Sequence, residues 1–156
     1  MTFDKKGNLY PYQKTMLTLS NFQDVFVREF SESKTRLPLF LNLCQYRNDL
    51  FGELNCFFPQ WIGGSFVTQK QHPSDIDIAN LIPFDDTLDL TIERIIPYFT
   101  IGGSHETYGI DGHLIPIYGD SDIRYENTQL RLAYFMEWFG HDRNDYPKGF
   151  IEILEP

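Results

Sequence analysis

The chain is poor in the features that staple a small fold, span a membrane or grip a nucleic acid. It has only two cysteines, Cys44 and Cys56, which sit in separate apolar stretches without metal-ligand spacing, and no secretory segment opens the sequence. Buried thiols in a reducing cytoplasm are the expectation, and a disulfide is the lesser alternative. No apolar run approaches the ~20 residues of a membrane helix, because Asp, Glu or Pro interrupts each one. A soluble, cytoplasmic protein is therefore expected. The 13 Lys and Arg are outnumbered by 22 Asp and Glu, for a formal charge of −9. Strong nonspecific binding to DNA or RNA is thus disfavoured, since that affinity comes from cations neutralising phosphates. A nucleotide substrate is not excluded, because a bound divalent cation inverts the local potential. Neither Ser104-His105-Glu106 nor Gly140-His141-Asp142 has zinc spacing, and Gly64-Ser65-Phe66 lacks the Gly-x-Ser-x-Gly elbow of a hydrolase.

What the chain does have is enough apolar content for a core. With 156 residues and 42% hydrophobic composition it reads as one domain, 1–156, that needs no staples. Residues up to Thr18 read as an irregular lead with turn residues Gly7, Asn8 and Pro11. An N-terminal helical segment, about 18–54, follows. Ser20 and Gln23 form a capping-box signature for a helix near 21–30, with Phe22, Val25, Phe26 and Phe30 on one face. A second helix from near Thr35 tolerates Pro38 in its first turn and lines up Leu39, Leu43, Tyr46, Leu50 and Leu54, with charges on the other side. Strands are expected over 56–62, 75–81, 107–118 and 149–154. Helices are expected over 65–71, from an Asp85 or Asp86 cap through Phe99, and over 125–139. The fold class is α/β or α+β. Tyr98, Phe99, Tyr134, Phe135, Trp138 and Phe139 are assigned to core packing.

Three carboxylates stand out: Asp75 and Asp77 in Pro73-Ser74-Asp75-Ile76-Asp77-Ile78, and Asp111 in Ile110-Asp111-Gly112-His113. Residues two apart on a strand share a face, so Asp75 and Asp77 place like charges side by side. A divalent cation is their natural neutraliser, and hard oxygen donors select Mg²⁺ or Mn²⁺. Asp-x-Asp alone is weak, since Pro-Ser-Asp is ordinary turn chemistry. Asp111 admits a second reading, with Asp-Gly at the tip of a hairpin in solvent. His113, two residues on, would share the face of Asp111 if both lie on a strand.

The combination is more specific than its parts. Gly64-Ser65 after an apolar run, then about ten residues, Asp75-Ile76-Asp77 with apolar flanks and a later strand with one more acid resembles the nucleotidyltransferase superfamily typified by DNA polymerase β, in its minimal members. That motif covers about 61 to 111. The string from Trp61 to Lys70 with Pro73 to Asp77, the opening Gly7-Asn8-Leu9, and the tail Trp138 to Arg143 with Pro147-Lys148-Gly149 resemble a small bacterial group of nucleotidyltransferase-like proteins over most of the chain.

The resemblance implies a small mixed sheet of the nucleotidyltransferase fold with helices packed on it, and a function. Asp75, Asp77 and Asp111 would be the catalytic and metal-binding residues, holding Mg²⁺ or Mn²⁺. Gly64 and Ser65 would open a short helix whose N-terminus receives the triphosphate. Lys70 near the end of that helix would reach a phosphate or else be a solvated lysine. Arg143 and Lys148 would bind phosphate or acceptor, with an Asp142–Arg143 surface pair as the plainer alternative. The implied activity moves an NMP group from an NTP to a hydroxyl of a protein, RNA or small-molecule acceptor, a partner toxin among them. The alternative is a non-catalytic nucleotide- or partner-binding protein of the same fold, for example in a toxin–antitoxin or defence system.

Overall fold

The computed structural model of the protein describes residues 1–84 and 92–153. Strand β1 (Thr2–Phe3) pairs antiparallel with β2 (Leu9–Tyr10). The main sheet is formed by β3 (Lys14–Met16), β4 (Gln60–Ile62), β5 (Ile76–Pro83), β6 (Ile110–Ile117) and β7 (Phe150–Ile153), in the order β3-β7-β4-β5-β6. It is mixed: β3 runs parallel to β7 and β5 parallel to β6, while β4 is antiparallel to both neighbours. The helices are α1 (Leu19–Phe26), α2 (Arg36–Leu54), α3 (Ile92–Ile95), α4 (Ser104–Tyr108) and α5 (Tyr125–Phe139). The fold is α+β, as expected. No helix among the described residues is long and apolar enough to cross a membrane.

Strand alternation divides the chemistry. On one face, Ile62, Ile76, Ile78, Ile82, Ile110, Ile151 and Ile153 are buried in a core shared with Phe22 and Phe26 of α1 and Leu39, Leu43, Tyr46 and Leu50 of α2. Two buried polar side chains, Gln60 and Asn80, pair on this face: the Asn80 amide donates to the Tyr46 hydroxyl at 2.8 Å and the His113 carbonyl at 3.1 Å, and its carbonyl accepts from Gln60 at 2.7 Å. On the other face Trp61, Ala79, Leu81, Ile115 and Phe150 pack beneath Phe135 and Phe139 of α5. Helix α5 stops at Phe139, so the first residues of β5 and β6 on this face remain uncovered.

Several local expectations are corrected. The lead is not irregular, because three strands too short to show periodicity lie within it, and β3 joins the main sheet. The N-cap of α1 is Thr18, whose side chain accepts from the Asn21 amide at 3.0 Å, so Ser20 is already helical. The expected continuation to Phe30 becomes a separate 3₁₀ turn. The second helix matches its expectation, but its polar side is not wholly solvated: Arg36 and Arg47 are buried. The strand expected from Cys56 begins only at Gln60, after left-handed Asn55 ends α2. Beyond α3, 3₁₀ turns at Ile96–Tyr98 and Thr100–Gly102 replace a continuous helix, with Pro97 unable to donate a backbone hydrogen bond. The proposed cap at Asp85 or Asp86 lies outside the described residues. Cys44 is half-buried and Cys56 exposed, so the two thiols are not the buried pair expected.

Residues 65–71 form no helix. Left-handed Gly64 (φ 62°) leads into a turn in which the Thr68 amide and hydroxyl both donate to the Ser65 carbonyl, at 3.2 and 2.7 Å. The cause lies on α2. The buried Arg36 guanidinium donates to the carbonyls of Phe66, Thr68 and Lys70 at 2.7 Å each, and to Phe26 at 2.8 Å, so these carbonyls serve the arginine instead of a helix. The rings of Phe30 and Phe66 flank it, 3.8 and 4.9 Å from its carbon to the ring centroids. Burial pushes the Arg36 pKa down to about 10, so it stays charged at neutral pH.

Candidate active site

Register brings the acids together. In the parallel β5–β6 pair Asp77 is the partner of Asp111, and Asp75, one residue before the strand begins, lies close enough to raise the Asp77 pKa. Asp111 is therefore a strand residue beside Asp77, and the hairpin alternative does not hold. Behind the acids, the Gly63 amide donates to the Asp77 carbonyl at 3.0 Å, which lays Gly64 directly over the Asp77 side chain. A Cβ on Gly64 would fall inside the Asp77 carboxylate, so glycine is required here both by φ and by contact.

One cleft of about 760 Å³ is lined by Gly64, Ser65, Lys70, Asp75, Asp77 and Asp111, which are all six of the site residues expected from sequence. Arg143, Lys148 and Trp138 line it as well. His113 does not. Its ring packs against Phe135 and Trp138, with centroids 5.5 and 5.0 Å apart, and burial pushes its pKa down. Of the aromatics assigned to the core, Phe99, Phe135 and Phe139 are buried, whereas Tyr134 is 58% and Trp138 41% exposed.

The walls are held by long-range bonds. The buried Asn8 amide donates to Asp142 Oδ2 at 2.9 Å, while the other oxygen of Asp142 accepts from the amides of Asn144 at 2.8 Å and Tyr146 at 3.0 Å. Asp142 thus organises the 140–149 segment, and does not form the surface pair with Arg143 considered above. Lys148, buried in that segment, donates from Nζ to the Gly64 carbonyl at 3.0 Å and so ties the tail to the glycine turn. The Gln69 amide donates to the Gly7 carbonyl at 2.8 Å, joining the N-terminal strands to the same turn.

The electrostatics follow from this crowding. Asp77 is pushed up to about 6, first by burial and then by Asp75 and Asp111, against the opposing pull of Lys148 and Arg143. Lys148 is pushed down to about 8 by burial, opposed chiefly by Asp77. His105, set aside from sequence because Ser104-His105-Glu106 lacks zinc spacing, lies with its Nε2 3.9 Å from Asp75 Oδ2. Asp75, His105 and Asp111 each offer a ligand atom within 4.8 Å of the others. Two carboxylates close enough to a third, Asp77, to raise its pKa, with further donors beside them, fit a divalent cation. Arg36 was missed, and Asn8 was noted only as a turn residue within the opening Gly7-Asn8-Leu9, with no role at the cleft. Neither has a local signal, since each acts on groups distant in sequence.

The match to family models bears on the whole of this arrangement. The chain belongs to a family of unknown function (DUF6932), whose model matches residues 1–154. No curated protein and no solved structure matches it. In this DUF6932 chain the family match takes in every wall of the cleft, from Asn8 to Lys148.

Proposed function

We propose that the cleft binds a nucleoside triphosphate with Mg²⁺ or Mn²⁺ and transfers its nucleotidyl group to a hydroxyl of a protein, RNA or small-molecule acceptor, releasing pyrophosphate, in the cytoplasm. The observation that carries this is the β5–β6 register, which sets Asp111 beside Asp77 opposite the Gly64-Ser65 turn. When bound, the cation would offset phosphate charge and acidify the acceptor hydroxyl. Asp75, Asp77 and Asp111 would hold it, and Asp111 would also take the hydroxyl proton. Lys148, Arg143 and Lys70 supply positive charge along the same cleft in an otherwise acidic protein. Because 65–71 is a turn, no helix dipole contributes to phosphate binding, and that role falls to these side chains and to backbone amides.

The same turn favours a second reading, a nucleotide- or partner-binding protein that does not turn over, of the kind found in toxin–antitoxin or defence systems. The two are separated by adding labelled NTPs, Mn²⁺ and cell lysate to the protein. Metal plus NTP should raise the melting temperature by binding only the folded state, and Asp77→Asn should abolish the shift. A shift absent from the wild type, or surviving in both Asp75→Asn and Asp77→Asn, would overturn the metal-site assignment and with it the transferase reading. A shift without labelled product would leave the binding protein.

A further inference from the structure

His105 faces the acids from outside the motif. Helix α4, on which it sits, is only five residues long, but both of its ends are fixed. At the start, the fully buried Ser104 hydroxyl donates to the Ile110 carbonyl at 2.7 Å and accepts from the Gly112 amide at 3.4 Å, locking α4 to the strand that carries Asp111. At the end, the Tyr108 hydroxyl donates to Asp49 at 2.9 Å and its carbonyl accepts from Asn42 at 3.0 Å, locking α4 to α2. Left-handed glycines, Gly103 (φ 93°) and Gly109 (φ 69°), bracket the helix and let the chain turn sharply on either side. The imidazole is thus delivered to the acids by contacts that owe nothing to its own charge.

What it meets there is two carboxylates. The 3.9 Å from His105 Nε2 to Asp75 Oδ2 is too long for a hydrogen bond, and a ligand atom of Asp111 lies within 4.8 Å of both. Three donors of this kind, drawn together without bonding one another, are spaced to admit an ion. We infer that His105 is a metal ligand, completing with Asp75 and Asp111 a mixed nitrogen–oxygen site that favours a first-row transition dication, Zn²⁺ ahead of Mn²⁺, over Mg²⁺. Carboxylates alone suit Mg²⁺, Ca²⁺ and Mn²⁺; an imidazole shifts the preference along the transition series. The inference rests on the divalent-cation part of the proposed function, and not on nucleotidyl transfer.

The test uses the full chain and metal alone, without nucleotide. Mn²⁺ binding is followed by loss of the free-ion electron paramagnetic resonance signal, with Mg²⁺ and Zn²⁺ as competitors, in the wild type and in His105→Gln. The variant should bind Mn²⁺ and Zn²⁺ at least about tenfold more weakly while Mg²⁺ affinity changes little. Its melting temperature in chelator should equal that of the wild type, and pulsed spectra of bound Mn²⁺ should show imidazole-nitrogen coupling in the wild type only. Equal Mn²⁺ affinity in the two proteins, equal weakening of Mg²⁺ and Mn²⁺, or no nitrogen coupling in the wild type would overturn the assignment. Those results would leave His105 as an ion-pair partner of Asp75. Because the measurement needs no NTP, nucleotidyl transfer can fail while this site stands, and the reverse.

Discussion

The two faces of strand β5 differ in what holds them. Ile76, Ile78 and Ile82 point into the larger core and are fully buried, with only the hydrogen-bonded Asn80 between them. On the opposite face Ala79 and Leu81 are covered by α5, but Asp77, at the start of the strand, is left facing a cleft. The strand is therefore anchored by one face along its length and by the other only in part. The part left over is where like charges are crowded. A site that would destabilise an unsupported strand is tolerated because the reverse face supplies the burial.

The largest effect expected from this contrast is on the anchored face. Ile78→Ala removes a fully buried side chain beneath α1 and α2 and should cost about 3 kcal/mol, read from the urea midpoint at constant slope. A loss below ~1 kcal/mol would show that this face does not carry the strand. Substitution on the open face should act oppositely, sparing the fold and removing the chemistry. Asp111→Asn should lower transfer from NTP to acceptor by at least ~100-fold, roughly 2.7 kcal/mol of barrier, with a melting temperature in chelator no lower than that of the wild type, since one of the charges crowding Asp77 is removed. Normal turnover would take Asp111 out of the assigned machinery.

The pH dependence sharpens the same comparison. The Asp77 pKa is raised to about 6 in the folded protein from an ordinary 3.8, so between those values the native state holds more protons than the unfolded one. In chelator, its contribution opposes folding above about pH 6 and is relieved as pH falls towards 4. Asp77→Asn should then stabilise the metal-free protein by about 2 kcal/mol at pH 7.5 and bring no gain at pH 4. Parallel pH–stability curves for the two proteins would contradict the crowding. The smallest expected effect comes from Gly64→Ala. A methyl there displaces the Asp77 carboxylate and strains a positive φ, so stability should fall by about 1 kcal/mol while Mn²⁺ affinity falls more steeply. Unchanged Mn²⁺ binding would mean that the Asp77 side chain does not contribute to holding the ion.

Legibility followed the range of the interactions. Helix α5 ran over 125–139 as its spacing predicted, and α2 began beside Thr35, because a repeat of three and four along the chain is a property of the residues themselves. The helix expected at 65–71 failed for the opposite reason. Nothing within that segment announces that Arg36, on another element, takes its carbonyls. The six expected site residues do line one cleft, yet His105 and Asn8 were passed over, since a lone histidine and a turn asparagine look alike whether or not they meet an acid across the fold.

By itself the sequence determined that the chain would form an α+β core and which residues alternate on β5, because side-chain period is set by backbone geometry. Only the tertiary structure decided that Asp111 stands beside Asp77, that Gly64 packs on its carboxylate, that Lys148 reaches the glycine turn and that His105 looks into the acids. Strand register and the meeting of distant loops depend on how whole surfaces pack, and that free energy belongs to pairs of segments, with no trace in either segment alone.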